Sequence, residues 1–99
     1  MQLDRGYVFA ALEQNRETIR RIGVERLGLF GSCARGDAVE PNDLDFVVEL
    51  KIKSFDAYMD LKFFLEDLFE CPVDLVLQST IKPQLRPQIM KELIDVPGL

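Results

Sequence analysis

Five residues in this chain are of types and spacings that suit phosphorus chemistry: Gly31, Ser32, Asp43, Asp45 and Asp74. Asp43 and Asp45 are separated by one residue, so in a strand, where side chains alternate, both carboxylates point to one face. Two carboxylates on one face can share metal ions. Magnesium favours carboxylate oxygens together with phosphate oxygens and retained water, and two such ions stabilise the attacking and leaving oxygens of an in-line displacement. Asp74 stands among Val73, Leu75 and Leu77. A carboxylate buried there without a partner would be costly, so metal binding or acceptance of a proton is the expected reason for it. Gly31 has no Cβ and lets backbone approach a phosphate closely, while Ser32 adds a hydroxyl and an amide donor.

Each signal has a plainer reading. A Gly-Ser pair is commonly a turn or cap, and an Asp-x-Asp pair is commonly two solvated acids. Asp74 could be a strand acid bonded to nearby backbone. Arg35 is a candidate phosphate contact through its planar fork, or a surface partner of Asp37. The combination is more telling than its parts: a strand, Gly-Ser, ten intervening residues, Asp-x-Asp in a second strand, and an aspartate in a later strand. Cys33, inside this stretch, is not expected to be a nucleophile.

The elements that must position these residues can be read from periodicity. Over residues 7–22, Val8, Leu12, Ile19 and Ile22 recur at helical spacing, and Gly23 is a natural stop. Residues 26–30 read as a short buried strand leading into Gly31, 32–36 as the possible start of a short helix, and 38–42 as a loop containing Pro41 and Asn42. A second strand is expected over 44–50, covered on both faces at Phe46, Val47 and Val48. Ser54 can cap a helix over 55–69, with Tyr58, Leu61, Leu65 and Leu68 on one stripe and Phe63, Phe64 and Phe69 widening it toward the core. Pro72 precedes a third strand over 73–77, and Pro83 and Pro87 frame a last helix running to about Leu93. The order predicts one α/β (α+β) domain over 1–99, with a small mixed sheet of three to four strands flanked by helices.

Composition narrows the function classes. The chain has 99 residues, 47% hydrophobic and 29% charged, the balance of a folded domain with a single core. Net charge is −5, whereas a protein that holds long nucleic acid normally presents a basic surface, so such a partner is not expected. Arg16, Arg20, Arg21 and Arg26 precede the motif. They could meet a phosphate or an acidic partner, although a charge run of this kind is ordinarily a solvated helix face. No apolar stretch approaches the roughly twenty residues of a membrane span, and the first residues do not resemble an export signal, which predicts a cytoplasmic protein without a membrane partner. With no histidine and two distant cysteines, Cys33 and Cys71, a Cys/His zinc site and a histidine triad are both excluded, and both cysteines are expected as thiols.

The stretch Gly-Ser-Cys-Ala-Arg-Gly-Asp (31–37) followed by Asn-Asp-Leu-Asp (42–45) resembles the nucleotidyltransferase superfamily typified by DNA polymerase beta. It is similar above all to the minimal nucleotidyltransferase, or MNT, domain, a domain of about this length that is often the antitoxin partner of a HEPN-domain toxin. Residues 81–93 also look like the helix that ends such antitoxins, and Asn42 stands where the family more often has serine. The resemblance implies a nucleotidyltransferase fold, Gly31 and Ser32 at the triphosphate of ATP, Asp43, Asp45 and Asp74 at two magnesium ions, and Asp74 helping to activate the attacking hydroxyl. Clustered carboxylates repel until a metal neutralises them, which predicts weak function without divalent cation. The resemblance further implies transfer of AMP from ATP to a tyrosine of a HEPN-type toxin. Two other readings remain open at this point: a binding antitoxin that covers its toxin without catalysis, and nucleotide transfer to a small molecule such as an aminoglycoside.

Overall fold

The computed structural model describes residues 4–31, 33–35, 44–52 and 54–96. Two short helices open it, α1 (Arg5–Gln14) and α2 (Arg16–Ile22), followed by β1 (Val24–Phe30), β2 (Leu44–Leu50), α3 (Phe55–Phe69), β3 (Val73–Leu77), a 3-10 turn (Gln78–Thr80), α4 (Arg86–Glu92) and β4 (Ile94–Asp95). The strands form one mixed sheet in the order β3-β2-β1-β4. β1 is antiparallel to β2 and to β4, whereas β2 and β3 are parallel and joined by the crossover helix α3.

The mixed sheet with flanking helices is the architecture expected from periodicity, and β2, α3 and β3 begin and end where the pattern places them. α3 starts at Ser54, whose hydroxyl accepts the Ala57 amide at 3.1 Å. α2 ends at Gly23, which takes φ +112°, and the Gly23 carbonyl accepts the Lys51 amide at 2.8 Å, tying that corner to the end of β2.

Alternation sorts the strand residues onto two faces. Leu27 and Leu29 of β1, Leu44, Phe46 and Val48 of β2, and Val73 and Leu75 of β3 join Val8, Leu12, Ile19, Leu61 and Leu65 in one buried cluster. This is the helix-covered face, and Phe69 completes it by stacking on Phe46 at 6.4 Å between ring centres. The other face carries Asp45, Val47 and Glu49 of β2 with Asp74 of β3. Val47 is nonetheless 3% exposed, so β2 is covered on both faces at its middle as expected. Among the described residues, no helix is long and apolar enough to cross a membrane.

Three local expectations change. The helix over 7–22 is broken at Asn15, whose side-chain Nδ2 donates to the Ala11 carbonyl at 2.8 Å and so competes with the helical ladder. Phe63 is 56% exposed because it lies two residues past Leu61, on the far side of α3. β4 was not anticipated: two residues are too few for alternation to show, and pairing of Gly28 with Asp95 and of Leu29 with Ile94 forms the strand. The loop over 38–42, and Ser32 and Gly36 at the ends of the helix start at 32–36, lie outside the described residues, while Cys33, Ala34 and Arg35 form a turn.

Candidate active site

The end of β1 and the starts of β2 and β3 meet at one edge of the sheet. Phe30 is the cross-strand partner of Asp45, and Asp45 is the parallel partner of Asp74. Equal register on adjacent strands puts the Asp45 and Asp74 side chains on the same face. Gly31 follows Phe30 at φ +81°, and a Cβ built there would collide with Asp45 Oδ2 and lie 3.3 Å from Asp45 Cγ. Glycine is therefore required twice, by its backbone angle and by the carboxylate against it. Gly31, Asp45 and Asp74 are thus brought together. Ser32 and Asp43 lie outside the described residues.

The burial expected for Asp74 is not found. Val73 and Leu75 point to the core, but Asp74 is exposed, because β3 is an edge strand and alternation turns this side chain to the other face. Desolvation therefore gives no reason for an acid here. What remains is its placement beside half-buried Asp45. The start of β3 is fixed by Glu66 of α3, whose Oε2 accepts the Val73 amide at 3.1 Å, and by the Leu44 amide, which donates to the Pro72 carbonyl at 3.3 Å.

Arg35 lies close by in sequence and structure, since its amide donates to the Gly31 carbonyl at 3.2 Å. Its exposed guanidinium meets Glu92 of α4, Nη1 to Oε1 at 3.3 Å. The alternative partner Asp37 is outside the described residues. Cys33 is buried and its thiol is pushed up, first by that burial and then by Asp4, so it stays protonated near neutral pH.

The donor set suits a hard cation. Among the described residues, the Asp45 and Asp74 carboxylates supply the charged acceptors at this edge, and Gly31 leaves room beside Asp45 that any side chain would fill. Among the described residues, which omit Asp43, no group of three metal-ligating side chains is assembled. Two of the arginines before the motif are engaged with other acids. Arg21 pairs with Glu17 at 3.9 Å on exposed helix, and Arg26 forms a bidentate pair with Asp95 at 2.9 and 2.8 Å. An open cleft of about 430 Å³ bounded by Glu25, Glu49, Gln78 and Arg86 lies toward the other end of β2, away from Asp45.

Two contacts at the site were not read from the sequence. Arg5 of α1 donates Nη1 to the Ala34 carbonyl at 2.9 Å, and Glu92 pairs with Arg35. A lone arginine opening one helix and a glutamate closing another carry no spacing signal that links them to residues 29 and 57 positions away.

A nucleotidyltransferase domain family matches residues 12–96. The protein adenylyltransferase MntA of Thermococcus cleftensis is 35% identical over 82 residues, covering 82% of this chain and 83% of that protein. A solved structure carrying the description minimal nucleotidyltransferase superposes with TM-score 0.79 at 34% identity, over 93% of this chain and 95% of that one. A chain of the solved complex of tri-AMPylated Shewanella oneidensis HEPN toxin with MNT antitoxin shares the fold, with TM-score 0.58 at 20% identity over 88% and 72% of the two chains. Matched along most of its length, with a glycine seated against one strand carboxylate and a second carboxylate beside it, the chain belongs to the nucleotidyltransferase domain family.

Proposed function

We propose that this chain is a magnesium-dependent protein adenylyltransferase, an antitoxin acting in the cytoplasm as a single domain over 1–99, which transfers AMP from ATP to a tyrosine of a HEPN-type toxin. The observation that carries the reading is Gly31 held against Asp45, with Asp74 as the register neighbour of Asp45. The relative named a protein adenylyltransferase and the fold shared with a HEPN–MNT complex support the acceptor and the nucleotide.

Gly31 and Ser32 hold the triphosphate through close backbone approach and hydrogen-bond donors, and Arg35 contacts a phosphate oxygen. Asp43, Asp45 and Asp74 would hold magnesium, which when bound neutralises the charge on the attacking and leaving oxygens. The tyrosine oxygen attacks the α-phosphorus, a new P–O bond forms, and the bond to the β-phosphate bridging oxygen breaks, releasing pyrophosphate. Asp74, exposed at the sheet edge, accepts the hydroxyl proton. Orientation of the reactants supplies most of the acceleration.

The test uses ATP labelled at either the α or the γ position, with magnesium and the HEPN partner. Adenylyl transfer puts the α label on the partner and leaves the γ label in pyrophosphate, and the α signal disappears with Asp43→Ala or Asp45→Ala. If the double variant neutralises the partner as well as the wild type does, without nucleotide, the chain is a binding antitoxin and the catalytic reading is wrong.

A further inference from the structure

The turn beside Gly31 is held by a residue that lies outside both the motif and the family match. Arg5, the first residue of α1, reaches across 29 positions of sequence to the Ala34 carbonyl in a partly buried hydrogen bond of 2.9 Å. The family match begins at residue 12. The Ala34 carbonyl and the Arg35 amide belong to one planar peptide unit, so fixing one end orients the other. That amide donates to the Gly31 carbonyl at 3.2 Å, and the Gly31 backbone in turn rests against Asp45. A chain of contacts therefore runs from Arg5 through one peptide plane to Gly31 and the carboxylate. The start of α1 is itself anchored, because Asp4 Oδ1 accepts the Tyr7 amide at 2.8 Å, and Cys33 and Ala34 are buried within the turn.

We infer that Arg5 is a positioning residue of the triphosphate site, orienting the peptide that holds Gly31 at its close approach to Asp45. The inference rests on the proposed role of Gly31. A hydrogen bond from a charged donor is stronger than a neutral one, and α1 thereby becomes part of the nucleotide site although none of its side chains need touch nucleotide.

The experiment compares the full-length wild type with Arg5→Met, which keeps an unbranched apolar stem but loses the donor, and Arg5→Lys, which keeps a charged donor. Three readouts are taken: affinity for a non-hydrolysable ATP analogue with magnesium, KM and kcat for AMP transfer to the HEPN partner, and hydrogen exchange of the Arg35 amide without nucleotide. In Arg5→Met we expect KM and the analogue's dissociation constant to rise about tenfold, kcat to change by less than about threefold, and Arg35 amide exchange to quicken about tenfold. Lysine restores most of each. The inference is overturned if Arg5→Met binds the analogue as the wild type does or exchanges the Arg35 amide no faster, even where its melting temperature falls. A wild type that binds no analogue contradicts the proposed function and this inference together. A binding wild type beside an equally binding Met variant contradicts the inference alone.

Discussion

Gly31 is where one added methyl group would disturb the most. At φ +81° an alanine is strained, and its Cβ would displace the Asp45 carboxylate. Gly31→Ala is expected to lower stability by about 1–3 kcal/mol, read from the urea midpoint. The same change should slow AMP transfer about a hundredfold through misplacement of Asp45. Cys33 makes a second prediction. Its folded value is raised above the ordinary 9.0, so its contribution to stability is fully present below about that pH and is lost as pH rises through the folded value. The urea midpoint should therefore fall more steeply above pH 9 in the wild type than in Cys33→Ala, and equal slopes would contradict the burial account. That Gly31 and Asp45 would stand together was legible at this scale, because the chemistry proposed for them needs particular residue types at a particular spacing. Arg5 and Glu92 were not, because each acts through one contact made by the folded chain with residues remote in sequence.

Among the elements, the short β4 depends on contacts rather than on propensity. It is joined to β1 by two residue pairs, by the Val96 amide donating to the Leu27 carbonyl at 2.9 Å, and by the bidentate Arg26–Asp95 pair. That pair is about half exposed, 41% and 54% for its two side chains, so Asp95→Asn is expected to cost about 1 kcal/mol or less. A double-mutant cycle with Arg26→Ala measures the coupling, and a value of several kcal/mol would contradict this reading. The strands β2 and β3 and the helix α3 could be bounded from the sequence, because Pro72 and Ser54 punctuate long, strongly patterned runs. The break at Asn15 could not, since the apolar spacing continues across it and only the side-chain bond to Ala11 reveals it.

For the molecule as a whole, stability and chemistry have separate sources. An apolar cluster spanning three helices and the sheet holds the fold, while the carboxylates sit at one edge of it. Removing divalent cation should therefore stop transfer and leave the far-ultraviolet circular dichroism unchanged, with the melting temperature moving by only about 2 °C, the small loss expected from a weakly bound ligand. A chain that unfolds on chelation would contradict this separation. The net charge of −5 agrees with a small-nucleotide and protein substrate rather than long nucleic acid. The intact mass of the HEPN partner after incubation with ATP and magnesium tests the central claim most directly. The account predicts a gain of whole AMP units with the wild type and none with Asp45→Asn. A partner that is silenced by the wild type while its mass stays unchanged would contradict it.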